Sequence, residues 1–118
     1  MLKTRTINLA GERSTKQGET RVIRVNIRDP NNAIDFTNAV LDARIARRSG
    51  STRLLEFTPT YFTRTIGSMT AELKLSSTQT DLLKGGVLYW ECFVDLNSSA
   101  DPVWCFAEGD FEVRERIQ

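Results

Sequence analysis

Two stretches of this chain alternate apolar and polar residues almost without a break. In "TRVIRVNIRD" Ile23, Val25 and Ile27 fall on one side, with Arg24, Asn26 and Arg28 on the other. In "SMTAELKLS" Met69, Ala71, Leu73 and Leu75 oppose Thr70, Glu72 and Lys74. A period of two marks a strand with one buried face, because successive side chains of an extended backbone point to opposite sides. A chain built this way must stack its apolar faces on each other, which predicts sheets packed face to face.

The remaining segments follow the same pattern between turn signals. A short first strand is expected over Thr4 to Leu9, then a polar loop through "AGERSTKQGE". Residues 1–18 read as a segment that is flexible or held by a partner. Pro30 and the two asparagines after it end the strand around Val25. "AVLDARIARRSGST" puts Leu41, Ala43 and Ile45 on one face, Ser49–Gly50 reads as a hairpin tip, and "RLLEFT" returns. "FTPTYFTRTIGS", carrying Pro59, reads as a long connection. A helical turn is expected near 77–84: Ser76 or Ser77 caps it, Leu82 and Leu83 dock on the core, and Gly85–Gly86 stops it. Strands from Val87 and from about Val103 close the chain. About seven strands with one helical turn describe a single all-β domain over 1–118, an antiparallel β-sandwich.

Composition removes most chemistry. The chain of 118 residues contains no histidine and two cysteines. That excludes Ser–His–Asp and Cys–His arrangements and histidine-bearing zinc sites, and two cysteines cannot complete a four-thiolate site. No P-loop and no GxGxxG is present. No cofactor and no metal is expected, and no enzymatic activity. A net charge of +1 gives no broad attraction to nucleic acid or an anionic membrane. No apolar stretch has the length of a membrane span, and "MLKTRTINLAGERSTKQGET" lacks the apolar middle of a secretory signal, which predicts folding in a cytosol.

The last hairpin, "VLYWECFVDLNSSADPVWCFAEG", carries the densest cluster of aromatics and both thiols. Folded back through a loop at 96–101, it sets Val94 opposite Val103, Cys92 opposite Cys105 and Trp90 opposite Ala107. The thiols then form a directly opposed cross-strand pair within reach of a disulfide, which a reducing cytosol would leave as two small buried hydrophobes. One face carries Leu88, Trp90, Cys92 and Val94 with Val103, Cys105, Ala107, Phe111 and Val113, and is the expected core. The other leaves Tyr89, Phe93, Trp104 and Phe106 outside, joined by Tyr61 and Phe62 of the 57–66 connection. So much exposed apolar surface calls for a cover, either that connection or a partner. These six aromatics are the candidate interface. A bulge at Gly109 would reverse the facing of the final residues.

Other features carry weaker chemistry. Arg44, Arg47, Arg48 and Arg53 surround the hairpin tip, but Asp42 and Glu56 dilute them, so a solvated tip is expected rather than a phosphate site. Glu91 among aromatics has the surroundings of a glycosidase acid without an evident second carboxylate. The aromatic face is also the kind of platform on which sugar rings stack, which gives a carbohydrate-binding module for host glycans as the alternative function.

Two stretches resemble a known family. "QGETRVIRVNIRDPNNAIDFTNAVLDARI" resembles the opening of small immunoglobulin-like domains in structural proteins of tailed phages, such as the N-terminal domain of baseplate upper proteins. Their Asp-Leu-Thr-Gly-Ala segment corresponds here to Asp35-Phe36-Thr37-Asn38-Ala39, with Asn38 in place of glycine as a residue that accepts a left-handed backbone. "GSMTAELKLSSTQTDLLKGGVLYWECFVDLNSS" and the following "FAEGDFEVRE" are similar to the second half of those domains. Thr80, Leu83, Gly85 and the Glu108-Gly109 pair stand where that pattern expects them. The resemblance spans about residues 17–115 and implies an immunoglobulin-like sandwich. It further implies a non-enzymatic virion component made in a host cytoplasm: an assembly adaptor of tail, baseplate or neck, or a capsid decoration protein. Its partners would be other virion proteins and copies of itself.

Overall fold

The computed structural model describes residues 4–48, 50–97 and 103–115. In chain order its elements are β1 (Arg5–Thr6), a 3-10 turn (Gly11–Arg13), β2 (Thr15–Lys16), β3 (Arg21–Arg28), β4 (Val40–Ala46), β5 (Arg53–Glu56), β6 (Thr58–Thr65), β7 (Ser68–Leu75), α1 (Ser77–Asp81), β8 (Gly86–Asp95) and β9 (Trp104–Arg114). The larger sheet runs β1-β9-β8-β4-β5, with β2 also on β9, and the smaller runs β3-β7-β6. The two sheets stack as the expected antiparallel sandwich, in the immunoglobulin-like order of a G-F-C-C′ sheet against B-E-D.

The core is the sum of the inward residues of both sheets. Val25, Ile27, Met69, Ala71, Leu73 and Leu75 come from the smaller sheet; Leu41, Ala43, Ile45, Trp90, Cys92 and Val94 from the larger. Phe57 fills the space between them, edge-on to Trp90 and to Phe111 with ring centroids 6.3 and 6.1 Å apart. The helical crossover begins where the sequence places it. Ser76 accepts the Gln79 N–H while the Gln79 side chain accepts the Ser76 N–H, a reciprocal cap that satisfies two free amides. The helix is shorter than 77–84. Leu83 is buried, whereas Leu82 points to solvent, since neighbours on a helix cannot share a face.

The segment around Asp35 folds as a side-chain turn. The Asp35 carboxylate accepts from the Thr37 hydroxyl and amide at 2.5 and 2.9 Å, and these bonds hold its carboxyl below the ordinary carboxylate range. The turn drives Phe36 into the core against Trp104. Asn38 has no left-handed backbone; among described residues the non-glycines with positive φ are Asn32 and Asn97.

Other expectations change as well. Residues 4–17 are bound along β9, in parallel: Arg5 and Thr6 pair with Ala107 and Glu108, and Thr15 and Lys16 with Val113 and Arg114. Leu9 bridges to Phe111 between them, and the 3-10 turn and β2 replace part of the expected loop. The supposed connection over 57–66 contains β6, paired with β7 and bulged between Tyr61 and Thr63. Pro59 is tolerated there because β6 is an edge strand. Of the hairpin tip Ser49–Gly50, Ser49 lies outside the described residues, as do 98–102 of the last loop.

The largest correction is in the β8–β9 hairpin. Trp90 faces Gly109, Cys92 faces Ala107, Phe93 faces Cys105 and Val94 faces Trp104. Phe106 is the extra residue of a bulge, set between the partners of Cys92 and Phe93. Ahead of the bulge, towards Val113, the expected core face holds, with Ala107, Phe111 and Val113 buried. Beyond it the facing reverses, because an offset of one residue turns every following side chain over. Trp104 and Phe106 therefore point inward, while Val103 and Cys105 point away.

Candidate docking surface

The six aromatics proposed as one interface are divided by this geometry. Phe106 packs in the core and Trp104, half-buried, against it, with its ring 6.3 Å from that of Phe36. Tyr61 turns inward from β6; its hydroxyl accepts the Leu41 N–H at 2.9 Å, and the Arg64 guanidinium lies 4.2 Å from its ring centre. Phe62, displaced by the β6 bulge, stands 62% exposed on the outer side of the opposite sheet. Tyr89 and Phe93 alone remain on the outer face of the larger sheet. The Tyr89 hydroxyl donates to Glu108, and the Arg44 guanidinium lies 5.1 Å over the Phe93 ring. The bulge at Phe106 thus leaves Tyr89 and Phe93, of the six, on this face.

That outer face is instead a lattice of charges. Arg44 reaches Asp42 at 2.5 Å and Glu91 at 3.7 Å; Arg53 approaches Asp42 at 3.9 Å and also pairs with Glu56. Of the arginines around the hairpin tip, these two are engaged by carboxylates on their own sheet. Glu91, the candidate acid, stands opposite Glu108 in the ladder, with Glu91 beside Arg44 and Glu108 holding Tyr89. Among the described residues no group of three or more His, Cys, Asp or Glu side chains is placed to hold a metal ion.

The cysteines are not a directly opposed pair. Both are free thiols, and the bulge moves Cys105 to a position opposite Phe93. Burial, then the neighbouring Cys105 and Asp42, push the Cys92 thiol up to about 12. Burial also raises Cys105, aided by Glu108 and Glu91, and its thiol donates to the Ala107 carbonyl at 3.3 Å. Thiols held protonated are poor nucleophiles and poor metal ligands.

Three of the exposed large hydrophobics, Leu54, Leu82 and Val87, gather at one end of the sandwich. β4 stops at Ala46 opposite Tyr89, so the first residues of β8 run on without a β4 neighbour. Beside them sit the exit of α1 and the edge strand β5. Together they form a groove of about 450 Å³ lined by Leu54, Leu55, Leu82, Leu83, Val87 and Leu88 together with Arg47 and Lys84. Leu82 is 71% exposed, Val87 59% and Leu54 42%. The signal was in the sequence: Leu82 beside Leu83 means that one of them faces water, and Val87 lies on the polar side of the β8 alternation.

No protein-family model matches the chain, and no curated protein matches its sequence.

Proposed function

We propose that this chain is a non-enzymatic assembly domain, a structural subunit of a tailed-phage particle that seats a neighbouring protein in the groove beside Leu82 and Val87. The virion reading rests on the resemblance of residues 17–115 to immunoglobulin-like phage domains. Tail, baseplate or neck is preferred to decoration of a capsid. The docking reading rests on one observation: Leu54, Leu82 and Val87 gather their exposed side chains around a single cleft that Arg47 and Lys84 also line. Fully burying one such side chain is worth about 1.5–3 kcal/mol. The occupant expected is a segment of the neighbour that offers apolar side chains to the cleft and a carboxylate to Arg47 and Lys84.

The test is incorporation into particles. A Leu82→Asp/Val87→Asp double variant replaces two exposed residues and should keep the monomer folded, with an unchanged circular dichroism spectrum. It should be missing from purified particles that contain the wild-type chain. Normal incorporation of the double variant refutes the groove as the contact. Absence of the wild-type chain from purified particles refutes the virion reading.

A further inference from the structure

A sandwich of two open sheets has four edges, and an edge left straight is a template for another strand. Three of the four are blunted here. β5 is four residues long and its pairing with β4 shifts between Ile45 and Ala46. β6 carries Pro59 and the bulge at Phe62. On the far side of β9, β1 and β2 are two residues each, separated by the 3-10 turn. β3 is the exception. It pairs with β7 over eight consecutive residues, Arg21 opposite Leu75 to Arg28 opposite Ser68, without a register shift. Its other side has no strand neighbour among the described residues.

The phase of its hydrogen bonds is fixed by the residue that follows it. The Asp29 N–H donates to the Gly67 carbonyl at 2.9 Å. Bonded and non-bonded positions alternate in an antiparallel ladder, so the odd residues of β3 exchange bonds with β7. Val22, Arg24, Asn26 and Arg28 then turn both backbone groups to the open side. The Arg24 side chain leans away from that side, toward Glu72 on β7 at 3.6 Å.

We propose that β3 is a dimerisation edge that takes β3 of a second copy, antiparallel, about a two-fold axis at Val25. Among the registers centred on the middle of the strand, at Arg24, Val25 or Asn26, its charges favour this one. Only positions of equal parity can oppose each other if outward residues are to meet outward residues. Centring on Arg24 would oppose the Arg24 side chains of the two copies, and centring on Asn26 would oppose Arg24 with Arg28. Centring on Val25 sets Arg24 opposite Asn26, Val22 opposite Arg28 and Ile23 opposite Ile27, with Val25 meeting its own copy. No like charges face each other, and the positions opposed through Val22, Arg24, Asn26 and Arg28 are those whose amides and carbonyls are open. The product is a continuous six-stranded sheet, β6-β7-β3 followed by its rotated copy, with an isologous contact that closes at two chains. This goes beyond the docking groove, which lies elsewhere on the molecule, and it stands without the virion reading.

The experiment is sedimentation velocity over a concentration series, with hydrogen exchange on the same samples. Wild-type protein should show a monomer–dimer equilibrium. The amides of Val22, Arg24, Asn26 and Arg28 should gain protection as the dimer fills, while those of Ile23, Val25 and Ile27 are protected throughout. Asn26→Arg opposes two guanidinium pairs across the axis and should raise the dimer Kd about tenfold. Asn26→Glu instead sets a carboxylate opposite each Arg24 in this register, whereas centring on Arg24 opposes it with Val22 and centring on Asn26 with its own copy, so it should tighten the dimer. The Leu82→Asp/Val87→Asp variant should dimerise as wild type. A wild-type monomer at every concentration overturns the proposal. So does a dimer indifferent to Asn26→Arg, or one that Asn26→Glu does not tighten.

Discussion

Trp90 stands directly opposite Gly109 in the β8–β9 ladder, and the two share one contact, the carbonyl of Ile7. The indole N–H donates to it at 2.8 Å, and a Cβ built on Gly109 would meet it at 2.3 Å. The glycine is therefore what lets the N-terminal segment lie close over β9, and the tryptophan holds it there. Gly109→Ala must push the segment away or bend β9. A loss of about 1–3 kcal/mol is expected in urea denaturation. Trp90→Phe keeps most of the ring and drops the bond, leaving the Ile7 carbonyl without that donor, and should cost a similar amount. Because both act on one carbonyl, the double variant should lose less than the sum of the single losses.

The cysteines predict a pH dependence with a definite sign. Unfolded, the Cys92 thiol ionises near its ordinary value of 9.0; folded, it is held up to about 12. Between those values the unfolded chain releases a proton that the folded chain keeps, so stability falls as pH rises. The slope attributable to Cys92 is at most about 1.4 kcal/mol per pH unit. Well below pH 9 both states are protonated and the residue contributes no slope. Other groups titrate in the same window, so the comparison is between wild type and Cys92→Val, which should show the shallower decline in urea midpoint from pH 8 to 10.5. In the native state at pH 7.5 a thiol reagent should label Cys92 only at the rate of unfolding.

Thr80 ties the crossover to the turn ahead of β3. It is fully buried, and its hydroxyl donates to the Glu19 carbonyl at 2.7 Å and lies 3.2 Å from that of Ser77. The Gln17 side chain bonds the Asp81 and Leu83 carbonyls from the same side. Thr80→Val keeps the shape and removes the donor, leaving the Glu19 carbonyl without it. The expected loss is about 1–3 kcal/mol in thermal or urea unfolding, with the strand content unchanged by circular dichroism.

Local patterns in the sequence carried the parts of the fold that local physics decides. β3 and β7 alternate cleanly because each has one buried face, and Ser76 with Gln79 gives the helix start away as a reciprocal cap. What escaped depends on contacts distant in sequence or on a single inserted residue. The parallel pairing of residues 5–16 with β9 spans about a hundred positions and leaves no periodic trace in two-residue strands. β6 was hidden by Pro59 and by the adjacent aromatics Tyr61 and Phe62, where its bulge interrupts the alternation. In β9 the alternation that correctly placed Phe111 and Val113 inverted at Phe106, and with it the candidate interface.

That inversion is itself open to measurement, because the two readings of the hairpin disagree about the same side chains. If Phe106 lay on an outer, partner-facing surface, its truncation would spare the monomer and weaken assembly. With Phe106 in the core beside Ala107 and Phe111, Phe106→Ala leaves a cavity and should cost the isolated protein about 3–5 kcal/mol. Trp104→Ser should likewise destabilise the monomer, by less because Trp104 is half-buried. Phe62→Ser, at the exposed bulge of β6, should stay within about 0.5 kcal/mol of wild type. Urea denaturation of the three variants distinguishes the readings. A wild-type midpoint for Phe106→Ala would mean that β9 runs without its bulge, with Phe106 turned outward opposite Phe93.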